Sequence, residues 1–139
     1  MDEHLFHFEI LTPEHSFFAG EIEALTFTTT DGEWTILKDH APMITVLRPG
    51  TVRIKKNGEW REAVNSEGYM EVGHKSVILF AQTCEWPEEI DVNRAERARK
   101  RAEEMLRQSR SQAEFRANQA MLARAMARLR NSSAKINLN

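Results

Sequence analysis

The sequence is poor in several features that would define a function at once. Its 139 residues include a single cysteine, Cys84, so no intramolecular disulfide can form. The longest uninterrupted apolar run, residues 77–81, is far shorter than the ~20 residues that span a bilayer. The acidic start, Met1-Asp2-Glu3, is unlike a signal peptide. We therefore expect a chain that suits a reducing compartment and does not insert directly into a membrane.

Motifs of catalysis and metal binding are also missing. The sequence has no phosphate-binding loop and no Gly-x-Ser-x-Gly, and Cys84 has no obvious base beside it. None of the five histidines has another ligand type at metal-site spacing. We predict neither a metal site nor catalysis by this chain alone.

Short apolar or β-branched runs, each closed by turn residues, fill the first eighty residues at the spacing of an antiparallel sandwich. The dipeptide Asn57-Gly58 predicts a tight hairpin between residues 51–56 and 59–64. No segment before Pro87 has a helical period long enough to connect parallel strands. Residues 1–86 are therefore predicted to form an all-β antiparallel sandwich.

From Pro87 onward the apolar period becomes helical. Asp91 can cap a first helix whose apolar stripe is Ala95, Ala98, Ala102, Met105 and Leu106. Ser111 and Glu114 have capping-box spacing for a second helix whose stripe is Phe115, Leu122, Met126 and Leu129. So short a turn predicts an antiparallel two-helix hairpin over residues 87–131, followed by a disordered tail over residues 132–139.

Charge divides at the same place. Residues 1–90 carry 7 Lys+Arg against 16 Asp+Glu, a net charge of −9, whereas residues 91–131 carry 11 against 5, a net charge of +6. The stripes of the helices are rich in alanine, so we expect marginal packing. A weakly packed basic arm on an acidic body indicates an anionic ligand or partner.

Four arginines offer a specific site for such an anion. Arg94 and Arg101 lie two turns apart on the first helix, and Arg124 and Arg128 lie one turn apart on the second. An antiparallel hairpin can bring them together around a triphosphate, whose oxygens match guanidinium groups. The alternative is that these arginines form solvated pairs with Glu96, Glu103 and Glu104, and spacing does not decide between the two.

The order of these features resembles the epsilon subunit of bacterial rotary ATP synthases, of the ATP-binding type. The resemblance covers nearly the whole chain and rests on four segments in order: Thr12-Pro13, Gly32-Glu33-x-x-Ile36-Leu37-x-x-His40-Ala41-Pro42, Gly68-Tyr69-Met70-Glu71-Val72 and Ile90-Asp91-x-x-Arg94-Ala95. The sequence departs from the family at Thr35, where a glycine is usual, at Lys38-Asp39, and at Glu67, where another glycine is common. These departures predict a reshaped loop on the face that meets the rotor.

The resemblance implies a non-catalytic central-stalk subunit, peripheral on the cytoplasmic face of the cell membrane. Its sandwich would bind the gamma subunit and the ring of c subunits. Its hairpin would be compact when ATP is bound, with or without magnesium, and when extended would reach the alpha/beta hexamer and inhibit ATP hydrolysis. The implied ATP-binding residues are Glu85, Ile90, Asp91, Arg94, Ala95, Arg101, Arg124 and Arg128.

Two other functions remain open at this stage. Ten arginines in some forty residues also fit a nucleic-acid-binding arm, although its only aromatic residue is Phe115 and the acidic body would repel a polyanion. The second alternative is a β-sandwich interaction module with a dimerising hairpin.

Overall fold

The computed structural model describes residues 4–131 and contains a strand-rich body followed by two helices. The strands are β1 (Phe6–Leu11), β2 (Ser16–Ile22), β3 (Ala24–Thr29), β4 (Gly32–Ile36), β5 (Met43–Leu47), β6 (Gly50–Lys56), β7 (Glu59–Asn65), β8 (Gly68–Val72), β9 (Ser76–Ala81) and β10 (Cys84–Glu85). A single 3-10 turn, Pro87–Glu89, leads into α1 (Val92–Arg107) and α2 (Gln112–Arg130). The predicted fold class, a β-sandwich followed by a two-helix hairpin, is confirmed.

The strands form one continuous hydrogen-bonded sheet that folds over on itself to make two layers. Its order is β10-β7-β6-β3-β5-β8-β9-β1-β2, with β4 on the other side of β3. The strands β3 and β5 meet only at Thr29 and Leu47, and this narrow junction separates the two layers of the sandwich. One pair, β1 with β9, is parallel, so the expectation of a wholly antiparallel sheet is wrong there. No crossover helix is needed, because the strands between β1 and β9 themselves form the connection.

The hairpin of β6 and β7 turns at the predicted dipeptide. Asn57 and Gly58 have φ angles of 54° and 78°, as a two-residue turn with both central residues in the left-handed region requires. The register pairs Lys56 with Glu59 and continues to Gly50 and Asn65. The local turn chemistry thus sets the register of the strands that later support the helices.

Large apolar side chains from both layers fill the space between them. Eight of them are at most 1% exposed: Phe8, Ile10, Ile22, Leu25, Phe27, Leu47, Val52 and Leu79. Gly68 allows β8 and β9 to approach, because a Cβ there would lie 2.0 Å from the carbonyl oxygen of Phe80. Thr35, where the resemblance led us to expect a reshaped loop, lies in regular strand β4, and its hydroxyl is 3.2 Å from that of Thr26. The positive φ in the following loop is instead at Asp39, at 64°.

The helices begin where the caps predict. The side chain of Asp91 accepts a hydrogen bond from the amide of Arg94 at 3.1 Å, and that of Ser111 accepts one from the amide of Glu114 at 3.1 Å. The carboxylate of Glu114 accepts from the amide of Arg110, one residue before the cap. The buried Asn118 closes the turn, because its side-chain amide donates to the carbonyl of Met105 and to Ser109 Oγ, both at 3.0 Å.

The predicted apolar stripe of α2 is only partly correct. Phe115 and Met126 are 46% and 38% exposed, while the buried positions of α2 are Asn118, Ala125 and Ala127. Small side chains let the helix approach its neighbours closely, so alanines form most of its buried face, while Phe115 and Met126 turn away. On α1, the stripe residues Ala95 and Ala102 are buried as expected, whereas Met105 is 39% exposed and does not belong to the buried face.

The hairpin packs on the outer face of the sandwich through a second, smaller cluster. Val64 of β7 points away from the main core and is buried with Ile90, Ala95 and Ala127, and Leu129 packs against them. Its neighbour Ala63 belongs to the main core, as strand alternation requires. The expected tail, residues 132–139, lies outside the described residues. Within residues 4–131, no helix is long and apolar enough to cross a membrane.

Candidate functional site

A cleft of about 730 Å³ lies where the start of α1, the end of the sandwich and α2 meet. The turn after β1 contributes Glu14, the β9–β10 region contributes Thr83 and Glu85, and α2 contributes Arg128. The remaining lining comes from the 3-10 turn and α1: Glu89, Ile90, Asp91, Arg94, Ala95, Arg97, Ala98 and Arg101. A ligand here would touch the sandwich and both helices at once.

Seven of the eight residues implied by the resemblance line this cleft: Glu85, Ile90, Asp91, Arg94, Ala95, Arg101 and Arg128. The eighth, Arg124, lines a separate space of about 10 Å³. Arg128 borders both. The structure thus brings the predicted set together except for one arginine.

Three arginines of the cleft have no acidic partner. Within the described part of the chain, no carboxylate lies within 4.0 Å of the guanidinium groups of Arg94, Arg97 or Arg101. All three side chains are exposed. An unpaired guanidinium facing a cavity is a ready ligand for phosphate or carboxylate oxygens.

The glutamates of α1 are engaged elsewhere. Arg99 forms ion pairs with both Glu96 and Glu103, and its hydrogen bond lowers the pKa of Glu96. Glu104 pairs with Arg107 at 2.5 Å. The surface pairs expected as the alternative therefore exist, but they involve other arginines and leave Arg94 and Arg101 unpaired.

Carboxylates occupy the opposite side of the cleft. Glu85 accepts from Nε of Arg128 at 3.0 Å, and Nη2 of Arg128 also reaches Thr83 Oγ1 at 3.3 Å. The carboxylate of Asp91 already caps α1. These acceptors and the unpaired arginines give the cleft two chemically different walls. A ligand with phosphates at one end and donor groups at the other matches both.

The cleft also has an apolar floor. Ile90 and Ala95 line it while being only 6% and 4% exposed, because they pack into the cluster beneath the helices. Flat heterocycles are held by such surfaces together with a few directed polar groups. The floor suits the base of a nucleotide.

Arg124 has a different partner. Its Nη1 lies 2.5 Å from Oε1 of Glu67, in the β7–β8 turn. The other oxygen of Glu67 is buried and has no hydrogen-bond partner among the described residues. Glu67 thus joins α2 to the sandwich through an ion pair between residues 57 positions apart in sequence.

The size and chemistry of the cleft fit a nucleotide. Its volume falls within the ~300–1,000 Å³ typical of small-molecule sites. Across residues 4–131, no group of three or more potential metal ligands is assembled.

Comparison with known proteins bears on both parts of the chain. Residues 5–87 match the family described as "ATP synthase, Delta/Epsilon chain, beta-sandwich domain", and residues 88–132 match "ATP synthase, Delta/Epsilon chain, long alpha-helix domain". The ATP synthase epsilon chain of Caldanaerobacter subterraneus subsp. tengcongensis is 48% identical over 129 residues, which cover 92% of this chain and 94% of that one. The chain belongs to the ATP synthase epsilon-chain family.

Other relatives agree with this membership. The epsilon chain of Ruminiclostridium cellulolyticum is 45% identical over 124 residues, covering 89% of this chain and 92% of its own. A chain in the cryo-EM structure of Euglena gracilis mitochondrial ATP synthase, OSCP/F1/c-ring, has a similar fold, with a TM-score of 0.74 at 20% identity over 97% of this chain and 82% of that chain. As a member of the family, the protein is a subunit of an enzyme complex.

The reasoning from sequence missed five residues of the cleft: Glu14, Thr83, Glu89, Arg97 and Ala98. The spacing could have predicted Arg97, since it lies three residues after Arg94 and four before Arg101, on the same helix face. Glu14 and Thr83 carried no such signal. Their positions depend on how distant turns of the sandwich meet the helix.

Proposed function

We propose that the chain is a regulatory, non-catalytic subunit of the central stalk of ATP synthase, and that it binds ATP in the cleft beside α1. The observation that carries the proposal is the cluster of unpaired arginines facing a buried apolar floor. Arg94 and Arg101 would bind the triphosphate with Arg128, while Ile90 and Ala95 would contact the base. Glu85 and Asp91 supply acceptors for amino or hydroxyl donors. Arg124 can join them only by leaving Glu67.

ATP in this position would stabilise the compact hairpin. The cleft is lined from the sandwich and from both helices, so it exists only while these parts are together. At 100-fold excess over its dissociation constant, ATP would add about 2.7 kcal/mol to the compact state. Shifting the populations from 1:99 to 99:1 needs about 5.5 kcal/mol of differential affinity, so an effective sensor keeps its two states close in energy.

The partners follow from the family and from the charge division. The sandwich would bind gamma and the c-ring, and the complex would lie peripherally on the cytoplasmic face of the membrane. Without ATP, the hairpin would extend towards the alpha/beta hexamer and inhibit hydrolysis. The net charges of −9 and +6 support such an exchange, because a basic arm can leave an acidic body for another acidic surface.

Calorimetry of the full chain with ATP tests the binding site. Wild type should bind one ATP per chain, and the double variant Arg94→Ala, Arg101→Ala should lose at least tenfold in affinity, since charge-assisted hydrogen bonds contribute about 1.5–3 kcal/mol each. Arg116→Ala is the matched control, because this exposed arginine of α2 lies outside the cleft. Equal affinities in wild type and the double variant would refute the site.

Hydrolysis by the assembled synthase tests regulation. Asp91→Ala should remove the cap that orders the start of α1, weaken ATP binding and prolong inhibition at high ATP. Deletion of residues after Glu89 should relieve inhibition at all ATP concentrations. Three superimposable curves for wild type, deletion and Asp91→Ala would contradict the regulatory role while leaving the stalk assignment intact.

A further inference from the structure

The arginines on the two faces of α1 differ in whether they have an ion-pair partner. On one face, Arg99 is clamped between Glu96 and Glu103, and Arg107 pairs with Glu104. On the cleft face, Arg94, Arg97 and Arg101 have no carboxylate within 4.0 Å in the part of the chain that is described. Every glutamate of α1 is thus used away from the cleft.

The spacing places the three cleft arginines in one row. Intervals of three and four residues correspond to rises of about 4.5 and 6 Å along the axis, and all three side chains leave the helix within a sector of about 60°. Like charges at such spacing destabilise an isolated helix by about 0.2–0.5 kcal/mol per pair. An anion bound along the row would reverse that repulsion.

We propose that Arg97 is a phosphate-binding residue of the cleft, and that it helps to distinguish a nucleoside triphosphate from the diphosphate through its row with Arg94 and Arg101. This inference rests on the proposed function, because it concerns the same ligand. The third arginine supplies charge and paired donors that only a longer chain of phosphates can use fully.

The position of Arg124 strengthens the assignment. Arg124 is held by Glu67 at 2.5 Å and does not line the cleft, whereas Arg97 lines it and has no carboxylate to leave. Binding through Arg97 therefore needs no ion pair to break. Beside Arg94, Arg101 and Arg128, Arg97 provides the fourth guanidinium group, for which Arg124 would otherwise have to be released.

Calorimetric titrations with ATP and with ADP test the proposal on the full chain. Arg97→Ala should lower the affinity for ATP about tenfold or more and the affinity for ADP by less, so the ratio of the two affinities falls. Arg94→Ala should weaken ATP binding as well, and Arg116→Ala should leave both affinities unchanged. Without nucleotide, Arg97→Ala should melt at or slightly above the wild-type temperature, since its guanidinium has no ion-pair partner in residues 4–131 and its removal relieves the repulsion within the row.

The outcomes separate this inference from the proposed function. If Arg97→Ala binds ATP as wild type does while Arg94→Ala binds more weakly, the role of Arg97 is refuted and the ATP site stands. If Arg97→Ala loses equal affinity for ATP and ADP, the contribution of Arg97 to telling the two nucleotides apart is refuted. If wild type binds neither nucleotide, both proposals fail.

Discussion

The sandwich packs through phenylalanine, leucine and isoleucine, whereas the hairpin packs through alanine. In the sandwich, Phe8, Phe27 and Leu79 have no exposed surface. In the two helices, the buried apolar positions are Ala95, Ala102, Ala125 and Ala127, while three of the larger side chains, Met105, Phe115 and Met126, are more than a third exposed. Fully burying a leucine or phenylalanine contributes about 1.5–3 kcal/mol, and an alanine methyl contributes about 0.8. The sandwich is therefore an anchor, and the hairpin is an element that a ligand can hold or release.

Polar contacts complete the attachment of the hairpin. The pairs Arg124–Glu67 and Arg128–Glu85 join α2 to the sandwich, beside the small apolar cluster around Val64. Ion pairs that are this exposed contribute little each, about 0–1 kcal/mol. A few weak contacts of different kinds thus hold the hairpin, which makes its position sensitive to one bound nucleotide.

The largest expected effect comes from the anchor. Phe27→Ala should lower the free energy of unfolding by about 3–5 kcal/mol, because it leaves a cavity in the fully buried core. Phe115→Ala, the matched change at a 46% exposed position of the hairpin, should cost less than about 1 kcal/mol. Urea unfolding of the full chain measures both. Similar losses would mean that the two regions do not differ in packing.

Removing the hairpin should have a moderate effect. A chain that ends at Glu89 keeps every strand and exposes Val64, so it should lose about 2 kcal/mol and still unfold cooperatively. Thermal unfolding followed by circular dichroism measures this. Aggregation or a broad, uncooperative transition would show that the helices belong to the core.

The Glu67–Arg124 pair should have a smaller effect. Glu67→Gln and Arg124→Ala should each weaken the attachment of the hairpin, with a coupling energy of about 1 kcal/mol or less in a double-mutant cycle. If Arg124 instead binds ATP directly, Glu67→Gln should free it and raise the affinity for ATP. The sign of that change distinguishes a structural role for Arg124 from a ligand role.

The smallest effect expected near neutral pH concerns Cys84 of the sandwich. Burial raises the pKa of its thiol from 9.0 to about 12. The unfolded chain therefore ionises first as pH rises, so this contribution to stability is complete below pH 9 and is lost towards about pH 12. Urea unfolding between pH 8 and 11 should show a decline that is shallower in Cys84→Ala. Parallel curves would contradict the raised pKa.

Local chemistry made much of the fold predictable. The turn at Asn57-Gly58 and the caps at Asp91 and Ser111 depend on residues that are neighbours in sequence, and all three occur where expected. The parallel pairing of β1 with β9 joins distant segments, so periodicity could not reveal it. The prediction of the buried face of α2 was partly wrong, because it favoured large apolar side chains over alanines, which permit a close approach.

The candidate site was likewise predictable where it depends on residues that are close in sequence, and unpredictable where it depends on distant contacts. The motif and spacing from Ile90 to Arg101 put five of the predicted residues on one short segment or helix face, and the cleft forms there. The ion-pair partners could not be predicted from spacing. Arg99 pairs with two glutamates, and Arg124 pairs with Glu67 across the interface between α2 and the sandwich. The role of these residues in ATP binding stays a prediction.

Amide hydrogen exchange of the full chain, with and without saturating ATP, tests the central claim most directly. Without ATP, amides of α2 (Gln112–Arg130) should exchange much faster than those of β3 and β9 in the core. ATP at 100 times its dissociation constant should slow exchange in the hairpin by up to about 100-fold and leave the core strands unchanged. Equal protection of helices and core strands, with no response to ATP, would contradict an anchored sandwich carrying a nucleotide-held hairpin.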